Sequence, residues 1–127
     1  MKKILKYEGS FPISNAILYD KAYVMEISGQ IGVDAKTGEL VEGIELQTAK
    51  TLENIKKILQ EVGWDFTNII KTRVYLSDMR YYSQMNKIYE TYFKEKYPAR
   101  VAMAVKELPR SALIEIEATA CGDQLKK

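Results

Sequence analysis

The sequence predicts an α+β domain with the element order βββαβαββ, in which two helices cover one face of a mixed sheet. Short segments that alternate polar and apolar residues predict the strands, and apolar residues at helical spacing predict the helices. No repeat, low-complexity tract or linker divides the 127 residues, of which 46% are hydrophobic and 28% charged. We therefore predict one domain spanning residues 1–127.

The first half of the chain is expected to hold three strands, a turn and a helix. Alternation and β-branched residues indicate strands near Lys3–Tyr7, Ala16–Tyr19 and Ala22–Ser28. Asp34–Gly38 is a turn sequence, since Asp and Gly favour tight reversals. The helix that follows has one apolar face and ends before Gly63. That face carries Ala49, Leu52, Ile55, Leu59 and Val62.

The second half adds a strand, a helix and two more strands. Ile69–Ser77 alternates as a strand, and a helix is predicted from Ser77 or Asp78, either of which can serve as its N-cap. Pro98 prevents this helix from continuing far beyond Phe93. The last two strands are predicted at Arg100–Glu107 and Leu113–Cys121.

Alternation divides the residues of the three later strands between two faces. The face expected to lie under the helices carries Ile70, Thr72, Val74, Leu76, Val101, Met103, Val105, Ile114, Ile116, Ala118 and Ala120. The other face carries Lys71, Arg73, Tyr75, Arg100, Ala102, Ala104, Glu115, Glu117 and Thr119. Small alanines beside opposite charges are untypical of a face open to water and predict that another subunit approaches it.

The chain has no histidine, which excludes several classes of active site. Histidine is the commonest general base, the usual partner of Ser and Cys nucleophiles, and the main ligand of transition metals. A zinc site needs three or four Cys and His ligands, and only Cys121 is present. Catalysis would therefore depend on carboxylates, Lys, Tyr, Arg or backbone groups, and we predict neither a metal ion nor a cofactor.

Charge and hydropathy narrow the choice of partners. A net charge of +2 weighs against a nucleic-acid partner. No apolar run reaches the roughly 18 residues that a membrane-spanning helix needs. A single cysteine excludes an internal disulfide and favours a reducing compartment, so we expect a cytoplasmic protein.

Arg100 and Glu115 form the candidate site, because alternation puts both on the second face of neighbouring strands. The planar guanidinium of Arg suits a substrate carboxylate, and a nearby carboxylate can act as a general base toward water. The alternative is a structural cross-strand ion pair, which these residues by themselves favour over catalysis.

Several motifs occur in the order found in one protein family. The longest is Pro98–Leu108, followed after five residues by Ile114–Ile116. The others are Ser28–Ile31, Lys36–Glu39, Leu52–Ile55, and the group Asn86, Tyr89 and Phe93. Through these motifs, which extend over nearly the whole chain, the sequence resembles the RidA (YjgF) family.

The resemblance implies a chorismate-mutase-like fold and a homotrimer with clefts between subunits. Arg100 would hold the carboxylate of a substrate, and Glu115 would position and activate water. Ser28, Gly29 and Asn86 would lie near the pocket.

Two positions depart from the family pattern. Ala102 stands where members often have Cys, so only its backbone could help to fix substrate or water. Ile13 replaces a pocket-lining Tyr in the segment that resembles "P-Y-S-x-A", and this replacement could change substrate preference or weaken activity.

The implied reaction is hydrolysis of 2-imino or enamino acids, such as 2-iminobutanoate or 2-iminopropanoate, to 2-oxo acids and ammonia. Two alternatives stay open. One is a non-catalytic module that binds small carboxylic acids in the same cleft. The other is an endoribonuclease or translation inhibitor, against which the near-neutral charge and missing histidine both weigh.

Overall fold

The computed structural model describes residues 1–126 and contains one six-stranded sheet with two α-helices. The strands are β1 (Lys2–Lys6), β2 (Ser14–Tyr19), β3 (Tyr23–Gln30), β4 (Ile69–Leu76), β5 (Ala99–Ala104) and β6 (Ile114–Gly122). The helices are α1 (Ile44–Gln60) and α2 (Tyr82–Phe93). The predicted βββαβαββ order is confirmed, as is the mixed sheet with both helices on one face.

The strands lie in the order β1-β2-β5-β4-β6-β3. β4 is parallel to β5 and antiparallel to β6, so it separates the two strands that carry the candidate site. β3 pairs with β6 antiparallel along the far edge. The β1–β2 ribbon joins the sheet through the single parallel pair of Ser14 and Ala99.

The core lies between the sheet and the two helices. Residues of β4 and β6 that point toward the helices are buried, as predicted for these two strands, and burial alternates along most of β4 and the first half of β6. Each fully buried Leu or Ile side chain contributes roughly 1.5–3 kcal/mol to stability. The main core side chains are Leu52, Ile55, Leu59, Val74, Leu76, Met85, Tyr89, Phe93, Ile114 and Ile116.

α1 ends before Gly63, as predicted, and it begins at Ile44, ahead of the predicted apolar face. Its first turns bury the polar residues Gln47 and Thr48, which interrupt the apolar pattern. Asp78 does act as an N-cap, but for a short 3-10 helix at Met79–Tyr81, where its side chain accepts the Arg80 N–H. α2 begins only after this turn.

The predicted faces of β5 are wrong. In the parallel register, Val101 lies beside Arg73 and Met103 beside Tyr75, on the face away from the helices. Both are exposed, at 36% and 43%. Arg100 and Ala102 therefore lie on the helix side of the sheet. Alternation divides β5 into two sets, but both contain apolar residues, so alternation by itself does not show which set lies under α2.

Among residues 1–126, no helix is long and apolar enough to cross a membrane.

Candidate active site

Arg100 and Glu115 do not meet within one chain. They lie on β5 and β6 with β4 between them, Arg100 beside Thr72 and Glu115 beside Tyr75. This places them about 10 Å apart along the strands and about 10 Å apart across them, on opposite faces of the sheet. The prediction of neighbouring strands and a shared face is therefore wrong, and so is the alternative of a cross-strand ion pair. Sequence alternation could not show that β4 lies between them.

Each residue instead belongs to its own cluster. We call the first the arginine site, and it consists of Arg100 with Tyr82, Met85, Asn86 and Tyr89. The second is the carboxylate site, which consists of Glu115 with Ser28, Gly29, Tyr75 and Glu117.

α2 builds the arginine site through its helical periodicity. Tyr82, Asn86 and Tyr89 are spaced four and three residues apart, so they face β5 together. The Nη1 group of Arg100 donates to Asn86 Oδ1 at 2.7 Å, and its Nη2 group donates to Tyr82 Oη at 3.1 Å. Asn86, which the resemblance implies to be near the pocket, thus contacts Arg100 directly.

The positive charge of Arg100 has only neutral neighbours. Its guanidinium lies 4.9 Å from the ring centre of Tyr89 and 5.6 Å from that of Tyr82. Within residues 1–126 it forms no salt bridge with a carboxylate. Because the side chain is half-buried, this charge is incompletely solvated. The arrangement favours binding of an anion.

Tyr89 supports the site from below. It is fully buried, and its hydroxyl shares a 2.7 Å hydrogen bond with Thr72 on β4. Burial raises the pKa of Tyr89 well above its ordinary value. The ring beneath Arg100 therefore remains a neutral phenol at physiological pH.

The segment before β2 approaches the arginine site from the side. Phe11 packs edge-to-face on Tyr82, with ring centres 5.6 Å apart, and stacks against Tyr7. Ile13 lines an adjacent cavity of about 510 Å³ together with Tyr97. Arg100 does not line this cavity, so the predicted pocket residue Ile13 belongs to a cavity beside the arginine site.

Ala102 lies two residues after Arg100 and on the same face of β5, beside Val74. Its half-buried methyl group packs against the core. Its position is therefore next to the arginine site, on the opposite face of the sheet from Glu115.

A bulge in β3 builds the carboxylate site. Pairing with β6 is irregular between Ile27 and Gln30, and the interrupted positions are Ser28 and Gly29. A β-carbon on Gly29 would lie 2.2 Å from Glu115 Oε2, closer than atoms can approach. The carboxylate of Glu115 thus occupies the space of a side chain at position 29, and any larger residue there would displace it.

Neighbouring side chains surround Glu115 on the open face of the sheet. Tyr75, the cross-strand partner of Glu115, donates its hydroxyl hydrogen bond to Glu117. This hydrogen bond raises the pKa of Tyr75. Arg73 lies beside Glu117, and exposed Val101 and Met103 lie beyond it on β5. The open face thus combines charges with exposed apolar groups.

Comparison with known proteins identifies the family. The family model described as endoribonuclease L-PSP matches residues 11–121, which include both sites. The chain belongs to the YjgF/RidA family. The resemblance predicted from the sequence motifs is therefore confirmed.

Individual relatives of this YjgF/RidA chain agree. A RutC family protein from Pyrococcus horikoshii is 53% identical over 95 residues, covering 74% of this chain and 75% of the relative. A 2-iminobutanoate/2-iminopropanoate deaminase from Homo sapiens is 46% identical over 110 residues, covering 86% and 79%. The predicted likeness to imine deaminases is confirmed.

Solved structures confirm the chorismate-mutase-like α+β fold. The crystal structure of E. coli TdcF with bound serine matches with a TM-score of 0.75 at 30% identity. The match covers 93% of this chain and 92% of that one.

The remaining chemical groups of this YjgF/RidA chain do not gather into a further centre. Within residues 1–126, no three His, Cys, Asp or Glu side chains are placed to hold a metal ion. Cys121 is buried at the end of β6, and burial raises the pKa of its thiol, which disfavours the reactive thiolate.

Sequence reasoning missed two tyrosines in these clusters. Tyr82 and Tyr75 lie within hydrogen-bonding reach of Arg100 and Glu117, respectively. Tyr82 could have been found from its spacing, since it precedes Asn86 by one helical turn. Tyr75 was assigned to the correct face but not to a role.

Proposed function

We propose that this chain hydrolyses 2-imino acids, such as 2-iminobutanoate or 2-iminopropanoate, to 2-oxo acids and ammonia. Arg100 holds the substrate carboxylate and Glu115 activates the attacking water. One observation carries the proposal. Arg100 is a half-buried cation that is held by neutral groups and has no carboxylate partner within the described chain.

The arginine site is prepared for a carboxylate. Asn86 and Tyr82 each accept one hydrogen bond from the guanidinium and so fix its plane before a ligand arrives. A guanidinium has five N–H donors, so others remain for the two parallel bonds that a carboxylate accepts. Because the surroundings are aromatic and partly buried, such a charge-assisted pair is stronger than it would be in water.

The chemistry requires only water and a base. Glu115 accepts a proton from water as the water oxygen bonds to the imine carbon, and Glu115 then passes this proton to the imine nitrogen. The hydroxyl group of the resulting carbinolamine gives its proton to Glu115, which transfers it to the nitrogen as the C–N bond breaks, so that ammonia leaves and the 2-oxo acid remains. An imine is already electrophilic, so positioning and electrostatics can supply the acceleration.

The separation of the two sites supports a shared active site between subunits. One chain keeps Arg100 and Glu115 on opposite faces of its sheet. A ring of identical subunits uses a heterologous interface, which places different surfaces of neighbouring copies against each other. We therefore propose a homotrimer in which the arginine site of one subunit faces the carboxylate site of the next.

The remaining predicted residues are assigned by their distance from these groups. Ser28 precedes Gly29 in the β3 bulge and would contact substrate or water near Glu115. Ala102 would contribute its backbone beside Arg100, and Ile13 would border the substrate side chain. Both bring small or apolar groups where the family pattern has Cys and Tyr.

Relatives support the same substrate class. The relative from Homo sapiens is named as a 2-iminobutanoate/2-iminopropanoate deaminase. The TdcF structure holds serine, an amino acid whose carboxylate suits an arginine site. A cytoplasmic location stays a prediction.

The proposal is tested by coupled imine hydrolysis. An amino-acid oxidase generates the 2-imino acid, and semicarbazide traps what the protein leaves. Wild type is expected to remove the imine faster than buffer. Arg100→Ala should lower kcat/KM by about a hundred-fold, because it removes a partly buried charge–charge contact. Arg80→Ala is the matched control, since Arg80 is exposed and pairs with Asp78.

The other outcomes separate the alternatives. If wild type matches buffer with every amino acid tried, the deaminase proposal fails. Melting shifts with small carboxylic acids but no turnover would then favour the binding module. Salt-dependent retention of RNA would favour the endoribonuclease suggested by the family description.

A further inference from the structure

α1 carries two amide side chains for which the proposed reaction has no use. Gln47 and Asn54 are seven residues apart, so they lie two turns apart on one side of the helix. Each forms hydrogen bonds to the backbone of a sheet segment. Those segments are the ones that carry Glu115 and Gly29.

Gln47 is linked to the start of β6. It is 4% exposed, and its Oε1 accepts the Leu113 N–H at 2.8 Å, two residues before Glu115. Its backbone also touches the segment after β3, since a β-carbon on Gly32 would lie 2.9 Å from the Cα of Gln47. One residue of α1 therefore contacts both the segment that follows β3 and the residue that precedes β6.

Asn54 is linked to the segment that follows β3. Its Nδ2 group donates to the carbonyl of Ile31 at 3.1 Å and to that of Val33 at 3.0 Å. Both protons of the amide are thus used on one short stretch of backbone. This stretch begins two residues after Gly29, so its position limits where the β3 bulge can lie.

The carboxylate site needs this fixation because its fit is tight. The carboxylate of Glu115 occupies the space into which a side chain at position 29 would project. A bulge interrupts the regular ladder between β3 and β6 at that point, so strand pairing by itself holds it less firmly. A general base displaced by even 1 Å can lose on the order of a hundred-fold in rate.

We infer that Gln47 and Asn54 are positioning residues, which hold the two backbone segments of the carboxylate site so that Glu115 faces its substrate. This inference rests on the proposed function. Apolar side chains such as Leu52 and Ile55 already pack α1 against the sheet, and the two amides add hydrogen bonds of defined direction to the backbone segments beside Glu115 and Gly29.

The test is whether loss of either amide lowers kcat while KM stays unchanged. Asn54→Ala removes both carbonyl contacts, and kcat should fall on the order of ten-fold while KM stays unchanged. Gln47→Met keeps the shape but leaves the Leu113 N–H without its acceptor, and it should behave alike. Gln60→Ala is the matched control, an exposed amide on the last turn of the same helix.

A double variant separates positioning from general damage. In a Glu115→Gln background, Asn54→Ala should cause no further loss of kcat, because the group it positions is already disabled. An equal loss in both backgrounds, or a loss that appears in KM, would overturn the inference.

Amide hydrogen exchange provides a readout that does not depend on turnover. Residues 28–33 and 113–117 should exchange faster in Asn54→Ala and Gln47→Met than in Gln60→Ala. Unchanged exchange overturns the inference. If wild type has no deaminase activity, the proposed function fails by that result, and exchange still decides whether the two amides hold the site.

Discussion

The arginine site and the carboxylate site are built by different means. Side chains of α2 hold Arg100 through hydrogen bonds and aromatic contacts. Glu115 instead lies over a glycine in a strand bulge, and its location depends on backbone geometry. A binding group tolerates some movement because a charge attracts its ligand over several ångströms, whereas a base must stay within hydrogen-bonding reach of one water.

This comparison predicts that two inactive variants restore activity to each other when their subunits are mixed. Arg100→Ala and Glu115→Ala homotrimers should each be inactive, because every interface lacks one group. Trimers reassembled from a 1:1 mixture should recover about one quarter of wild-type activity, since random neighbours supply both intact groups at that fraction of interfaces.

The mixture is refolded together or exchanged under mild denaturant, then assayed for imine hydrolysis at fixed total protein. Mixing without exchange is the control and should stay inactive. A mixture that stays inactive after proven subunit exchange would mean that both groups act within one subunit. A monomer in analytical ultracentrifugation would contradict the shared site directly.

Gly29→Ala should have the next largest effect, and it should fall on the carboxylate site alone. The added methyl group would overlap Glu115 Oε2 and force the carboxylate away. We expect kcat to drop by about a hundred-fold with little change in KM, because Arg100 still binds substrate. Steady-state imine hydrolysis measures both constants.

Gly38→Ala is the control for the cost of replacing a glycine. Gly38 has a φ of 74°, and a methyl group added there would have no atom within 4 Å, so the variant is strained but does not touch either site. It should lose about 1 kcal/mol of stability and keep its turnover. A rise in KM with unchanged kcat for Gly29→Ala would mean that Gly29 serves binding and not the base.

The sequence predicted the parts of the fold that have one strong pattern. β4 and β6 alternate large apolar residues with polar ones, so their faces were correctly assigned. β5 has apolar residues in both alternating sets, and only packing beneath α2 shows which set is inside. The order of the strands depends on long-range pairing, which no local pattern encodes.

The candidate site likewise has parts that depend on local pattern and parts that depend on long-range pairing. Asn86 and Tyr82 share a helix face with Tyr89, so helical spacing would have grouped them, although only Asn86 was predicted, through the family resemblance. The contact of Glu115 with Gly29 depends on a bulge that local sequence does not specify. The pairing of Arg100 with Glu115 was wrong because it assumed adjacent strands.

The smallest expected effect concerns Tyr89, whose ring lies beneath Arg100. Tyr89 is fully buried, and burial raises its pKa above the ordinary 10.0. The folded protein therefore keeps the Tyr89 proton at a pH where the unfolded chain has lost it. The contribution of this proton to the free energy of unfolding is complete below about pH 10 and declines as the pH rises further. Tyr89→Phe removes this dependence, so the free energy of unfolding should fall less steeply above pH 10, by up to about 1.4 kcal/mol per pH unit.

Urea unfolding between pH 8 and 11 measures the slope, with Tyr23→Phe as the control because Tyr23 is 46% exposed. At neutral pH, Tyr89→Phe should cost about 1 kcal/mol, since Thr72 loses its hydrogen-bond partner. Equal alkaline slopes for Tyr89→Phe and wild type would show that this phenol ionises without unfolding the protein. The ring beneath Arg100 would then become a phenolate that neutralises the guanidinium, and the affinity for a carboxylate should fall over the same pH range.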